Sequence, residues 1–299
     1  MPIVSNPLLN ILRNSKPSLM LAVLVVTVVV FLLVISIAFL LSRKGGLFQR
    51  RKRRYSGKSA RYGAKKRKHV FLALFAVALF SLVLALLVPK VLDALLFQGT
   101  IDVPYINQKE KYPTGCESVS AVMVLNYMGI DITVDKFIDN YLDTGSLPTK
   151  SSSGEMIGCN PWTAFPGTPY SYEGYGCYAP VIASAINKLI DQNKFEVQEL
   201  YGKSLQEICD EYIDTGIPVI IWVTLDMAPP RISTSWTDDE TGDIINWIAP
   251  EHCVVLVGYD SSFYYINDPM RSKAYKYKRE IVETAYNGMY KQAVVIESK

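Results

Sequence analysis

The sequence predicts an α+β domain of about 200 residues, helices leading and an antiparallel sheet following, carried behind two membrane-spanning helices. Three observations carry this expectation. Two long uncharged apolar runs, 19–41 and 70–88, precede residue 100. After residue 117 the apolar side chains recur with helical spacing in three segments. From residue 218 they come instead in short β-branched or aromatic runs bounded by turn residues.

A short tail, 1–18, leads into the run 19–41, which only Thr27 and Ser36 interrupt. As a helix this run would measure about 34 Å, against a bilayer core of roughly 30 Å. The run 70–88 would measure about 28 Å and is ended by Pro89 and Lys90. A cleaved signal peptide is the other reading of the first run. The run is too long for that, and no small-residue cleavage site precedes Arg43.

The connecting segment, 42–69, holds thirteen Lys or Arg between Arg43 and Lys68 and no acidic residue, whereas the tail has only Arg13 and Lys16. The positive-inside rule then places the loop in the cytoplasm and both termini outside, a multi-pass arrangement in the plasma membrane. The expected partners are the lipid bilayer and, for the basic loop, anionic lipid of the inner leaflet. Sixteen basic residues remain in 69–299 against all 28 acidic ones, a net charge of −12. Such an acidic outer domain excludes nucleic acid as its partner.

After a linker, 89–99, the domain occupies 100–299. Residues 117–128 read as a helix with little polar face, started after Pro113-Thr114-Gly115 and closed by Gly129. Residues 149–154 and 161–176 are rich in Ser, Thr, Gly, Pro and Tyr and read as loops. A second helix follows over 180–192, with Pro180 in its first turn, and a third over 204–212, with Ser204 as cap and Glu207 three residues on. Strands are expected at 218–225, 253–259, 263–266, 274–277 and 293–296. Residues 238–242 form a hairpin tip between Trp236 and Trp247 without calcium-loop spacing.

Cys116 opens the first helix. A cysteine there feels the positive end of the helix dipole, which lowers a thiol pKa and makes a nucleophile. A buried structural cysteine is the alternative. A thiol enzyme of this kind needs an imidazole. Of the two histidines, His69 lies at the cytoplasmic edge of the second apolar run, which leaves His252, at the start of a strand. If Asp260-Ser261-Ser262 is a three-residue turn and Tyr259 faces Phe263, Asp268 comes diagonally opposite His252 on one face and can orient the imidazole. Otherwise Asp268-Pro269 simply ends a strand. Gln108, eight residues before Cys116, offers an amide for an oxyanion.

Three ordered blocks resemble a known family. They are Asp102-Val103-Pro104-Tyr105-Ile106-Asn107-Gln108 with Pro113-Thr114-Gly115-Cys116-Glu117, then 251–260 around His252, then Ile266-Asn267-Asp268-Pro269. Together they are similar to bacterial cysteine peptidase domains related to the double-glycine leader peptidases of bacteriocin exporters, in the papain-like superfamily. Tyr175-Gly176-Cys177-Tyr178-Ala179-Pro180 resembles Gram-positive members. The resemblance implies a papain-like fold and a peptide or protein substrate. It implies Cys116 as nucleophile, His252 as acid and base, Asp268 as orienting residue and Gln108 in the oxyanion hole. Glu117 stands where exporter peptidases usually carry Gly, and a carboxylate there opposes thiolate formation. No Gly-Lys-Ser/Thr phosphate loop is present, so no ATPase is attached.

The remaining cysteines are Cys159, Cys177, Cys209 and Cys253. Cys159 and Cys177 flank one loop and could pair outside the cell. No His, Cys and carboxylate grouping has zinc spacing, so neither metal nor cofactor is expected. Trp162, Trp236 and Trp247, with the acidic charge, suggest a cationic or aromatic peptide. The expected function is a membrane-anchored extracellular cysteine peptidase. The rival readings are a catalytically inactive peptide- or envelope-binding module and a cell-wall amidase or acyltransferase.

Overall fold

The computed structural model describes residues 75–84, 86–87 and 99–299. The run 19–41, the basic loop and part of 70–88 lie outside the described residues. Residues 75–84 and 86–87 are helical, and Phe75, Phe80 and Leu86 are exposed. Among the described residues no helix is long and apolar enough to cross a membrane. The two-span anchor is thus not part of what the structure carries.

Residues 99–299 lie in one compact unit. Helix α1, Cys116–Tyr127, begins at Gly115, where a Cβ would fall 2.9 Å from Tyr112 Cβ and 3.1 Å from Pro169 Cβ. Its residues from Cys116 to Leu125 are all buried, as its lack of a polar face requires. Helix α2, Val134–Tyr141, was not expected from the sequence; Thr133 caps it, accepting from the Lys136 N–H at 3.3 Å. Four short strands follow, β1 Thr144–Gly145, β2 Thr149–Lys150, β3 Met156–Gly158 and β4 Phe165–Pro166, of which β2 and β4 lie in the segments 149–154 and 161–176 read as loops. Helix α3, Ala179–Leu189, has Pro180 in its first turn. Strand β5, Phe195–Tyr201, precedes helix α4, Leu205–Glu211, whose Ser204–Glu207 capping box is complete. There follow β6 Val219–Thr224, β7 Arg231–Asp238, β8 Ile244–Ala249, β9 Glu251–Tyr259, β10 Phe263–Asn267, β11 Tyr275–Lys278, α5 Arg279–Gly288 and β12 Gln292–Ser298.

The main sheet has the order β11-β10-β9-β6-β12-β5, with every neighbouring pair antiparallel. This is the mixed α+β architecture expected. Strands β6 and β9 sit at its centre, and from His252 to Tyr259 every residue of β9 is buried. The hairpin of β7 and β8 joins β2 and β3 in a smaller sheet, and β1 pairs with β4. Trp236 and Trp247, expected to meet a peptide, are instead buried, ringed by Tyr175 and Tyr178.

The turn that sets the position of Asp268 differs from expectation. Tyr259 pairs with Tyr264, not with Phe263. The loop holds four residues because Asp260 Oδ1 accepts from the N–H groups of Ser262 and Phe263, each at 2.8 Å. A bulge on β9 then restores the register: Gly258 faces Tyr265, but Leu256 faces Ile266 and Val255 faces Asn267. Val257 is the extra residue, and its carbonyl accepts from Ile101 N–H at 2.7 Å. The extra loop residue and the bulge cancel, so Asp268 still arrives beside His252.

Asn267 ties this strand end down. Its side chain is fully buried, donates to Val103 O at 3.2 Å and accepts from Ala274 N–H at 2.8 Å. Asn267→Ala strands both backbone groups, and the denaturant midpoint is expected to fall by the equivalent of about 1–3 kcal/mol.

Candidate active site

Helix α1 rests on β9 through an apolar face and a polar contact at Ser120, whose Oγ donates to Cys253 O at 3.1 Å. One turn back, Cys116 is 5% exposed at the helix start. Its Sγ lies 3.3 Å from Glu117 Oε2 and 3.9 Å from Glu251 Oε2. Glu117 Oε1 accepts from the Cys177 N–H at 2.5 Å. Gly176 is required here, because a Cβ would stand 2.7 Å from both Glu117 Oε1 and Glu251 Oε2. None of the five cysteines is in a disulfide, so Cys159 and Cys177 are not joined.

Burial pushes the Cys116 thiol well above its ordinary 9.0, and the charges of Glu117 and Glu251 push it further. This overturns the expectation that the helix dipole would lower it. The dipole is worth about 0.3–1 kcal/mol at most sites, less than the loss of hydration of a buried ion. Burial raises Glu117 to about 7, against the pull of its own N–H and that of Cys177. Burial and then the neighbouring Glu117 raise Glu251 well above 4.5. Two carboxyls this close and this dry do not both ionise.

His252 and Asp268 form a hydrogen-bonded pair of their own. His252 Nε2 and Asp268 Oδ1 are 2.8 Å apart and both side chains are buried. Asp268 Oδ2 accepts from Tyr277 OH at 2.6 Å, and Oδ1 also accepts from Met270 N–H at 2.9 Å. Burial pushes the Asp268 carboxyl up, but the bonds from His252, Tyr277 and Met270 outweigh it and hold it below 3.8. A carboxylate acceptor assigns the proton to Nε2 and leaves Nδ1 of the neutral ring as an acceptor. No hydrogen bond joins Cys116 to His252; the thiol meets carboxyls and the imidazole meets Asp268.

Gln108 is 2% exposed and directs its amide inward, Nε2 donating to Tyr112 O at 3.2 Å and Pro113 O at 3.3 Å. Its Oε1 is buried without a partner. The polar atom left over is an acceptor, which cannot hold an oxyanion. The helix start offers better donors, since Gly115 supplies no side-chain cap to its first-turn N–H groups, although that of Glu117 already meets its own carboxyl.

Glu251 and Tyr277 escaped the sequence reading. Glu251 had no usable signal, because the pleat sends it to the side opposite His252 and only the docking of α1 on β9 brings it to the thiol. Tyr277 had none, because its reach to Asp268 depends on the pairing of β10 with β11. Cys116, Glu117 and Glu251 also place one donor atom each within 4.8 Å of one another, close enough to share a cation.

A cysteine at a buried helix start, packed on an antiparallel sheet that carries a His–Asp pair, defines a cysteine-peptidase-like domain. The chain belongs to the Peptidase_C39 like family, whose model matches residues 100–294. It is 32% identical over 201 residues to the uncharacterized protein YvpB of Bacillus subtilis (strain 168), covering 66% of this chain and 75% of that protein. It is similar to the crystal structure of a C39-like peptidase from Bacillus anthracis, with a TM-score of 0.56 and 29% identity over 68% of this chain and all of the other.

The raised carboxyls set a pH dependence. An acid whose folded pKa exceeds its unfolded value binds more protons folded, so stability is lost as pH rises from about 4.5 through 7. Melting temperature is expected to fall over that window. In Glu117→Gln or Glu251→Gln the fall is expected to flatten, as read by thermal unfolding across pH.

Proposed function

We propose that this chain is a membrane-tethered extracellular cysteine peptidase that cleaves peptide bonds through Cys116, His252 and Asp268. The observation that carries the reading is the buried His252–Asp268 pair, 2.8 Å across, with His252 on the strand against which the Cys116 helix packs. Family membership supports the same chemistry. The uncharged runs 19–41 and 70–88 and the basic loop between them support the anchor and its orientation.

In this mechanism the Cys116 thiol leaves the two carboxyls and gives its proton to His252 Nδ1. The thiolate attacks the peptide carbonyl, and the first-turn N–H groups of α1 hold the oxyanion. Gln108 joins them only once its amide turns away from the Tyr112 and Pro113 carbonyls. The C–N bond breaks as the imidazolium protonates the departing amine. Water, deprotonated by His252, then hydrolyses the thioester. Asp268, held by Tyr277 and Met270, keeps the ring oriented throughout. The net charge of −12 over residues 69–299 favours cationic peptides.

One observation favours a second reading, a peptide-binding module without catalysis: the thiol faces two carboxyls and its pKa is raised. Alkylation of the full chain in detergent, resolved by cysteine between about pH 5 and 8, separates the two. Cys116 is expected to react faster than the other four thiols, and His252→Ala or Asp268→Asn to slow it about tenfold or more. Labelling at the rate of an ordinary thiol, unchanged in His252→Ala, would select the binding module.

A further inference from the structure

Glu117 is fully buried and Glu251 is half-buried with its Oε1 out of solvent, and neither carboxyl has a cationic neighbour. Among the described residues neither takes part in an ion pair, and the titratable groups acting on Cys116 are these two acids and the buried Cys253 thiol. Acids of this kind persist in one of three ways: they hold a proton, they are met by hydrogen-bond donors, or they coordinate a cation.

We propose that Cys116, Glu117 and Glu251 form a binding site for a zinc-class divalent cation that holds the thiol out of use. The separations suit it. Zn–S of about 2.3 Å and Zn–O of about 2.0–2.2 Å place tetrahedral ligand atoms about 3.5 Å apart. The thiol sulfur stands 3.3 Å from Glu117 Oε2 and 3.9 Å from Glu251 Oε2, and the three donors lie within 4.8 Å of one another. A second observation points to a ligand: Glu251 Oε1 is buried and has no hydrogen-bond partner. Glu117 is oriented from behind, its Oε1 held by the Cys177 N–H at 2.5 Å while Oε2 faces the thiol.

The donor set selects the ion. One thiolate with two carboxylates suits zinc, cobalt or cadmium, whereas magnesium and calcium require six or more oxygens. Three protein donors leave a fourth tetrahedral position for water. Binding turns the thiol into a metal thiolate and releases its proton, with that of the carboxyl pair, to solvent; no redox change occurs. A sulfur so bound is not free to reach His252 or attack a carbonyl. This inhibitory consequence rests on the peptidase reading; the binding itself does not.

The test is to titrate the full chain, purified free of metal, with Co²⁺ and then Zn²⁺. A thiolate-to-cobalt charge-transfer band is expected, saturating at one equivalent and displaced by zinc. Cys116→Ser should abolish it, and Glu117→Gln and Glu251→Gln should each weaken binding about tenfold or more. His252→Ala should leave it intact. In the unaltered chain, which needs no variant to fold, zinc should protect Cys116 but not Cys209 from alkylation. No band, a band indifferent to Glu251→Gln, a band lost in His252→Ala, or unprotected Cys116 at saturating zinc would each overturn the proposal. A chain that binds cobalt in this way but cleaves no peptide would refute the peptidase reading alone.

Discussion

Helix α1 is buried over ten consecutive residues, Cys116 to Leu125, and the geometry of the site depends on where it lies. A helix apolar on all sides has no face to give to water, so it must be enclosed. Packing against β9 provides that enclosure and fixes the start of the helix beside the start of the strand. Gly115 and Gly176 permit the close approach: a side chain at either would strike its neighbours at 2.9 Å or less. The thiol is therefore dry because its helix is, and its chemistry follows from that dryness.

Dryness decides the electrostatics. A helix N-terminus contributes about 1 kcal/mol toward a thiolate, whereas taking an ion out of water costs several. With two carboxyls added, the balance at Cys116 lies with the protonated thiol. The Asp268 carboxyl is also buried, yet it stays below its ordinary range because three donors converge on it. Burial alone thus does not set the charge state. What matters is whether hydrogen-bond donors or a cation accompany the buried group.

Adjacent residues of β9 serve different networks. The pleat turns Glu251 toward the thiol and His252 toward Asp268 and Tyr277. One strand start therefore holds an acidic cluster and a charge-oriented imidazole side by side. In the proposed peptidase reaction the thiol must pass from the first to the second, and a proton or a metal held in the cluster opposes that passage.

Much was legible in the sequence because it is local. The Pro113-Thr114-Gly115-Cys116 helix start, the Ser204–Glu207 capping box and the buried runs of β6 and β9 each follow from dihedral preference and burial within a dozen residues. The diagonal approach of Asp268 to His252 was also legible, though through a turn one residue too short that a bulge at Val257 offsets. Helix α2 and helix α5 carried readable signals, Thr133 as cap in one and apolar Val282, Ala285 and Tyr286 in the other. The gathering of Cys116, Glu117 and Glu251 was not legible, since the last is brought to the others by the docking of α1 on β9 across more than a hundred residues of chain. Sequence determines which residues are available and how each element starts and stops. Tertiary structure alone decides which of them lose their water together, and that shared desolvation sets their charge and their partners.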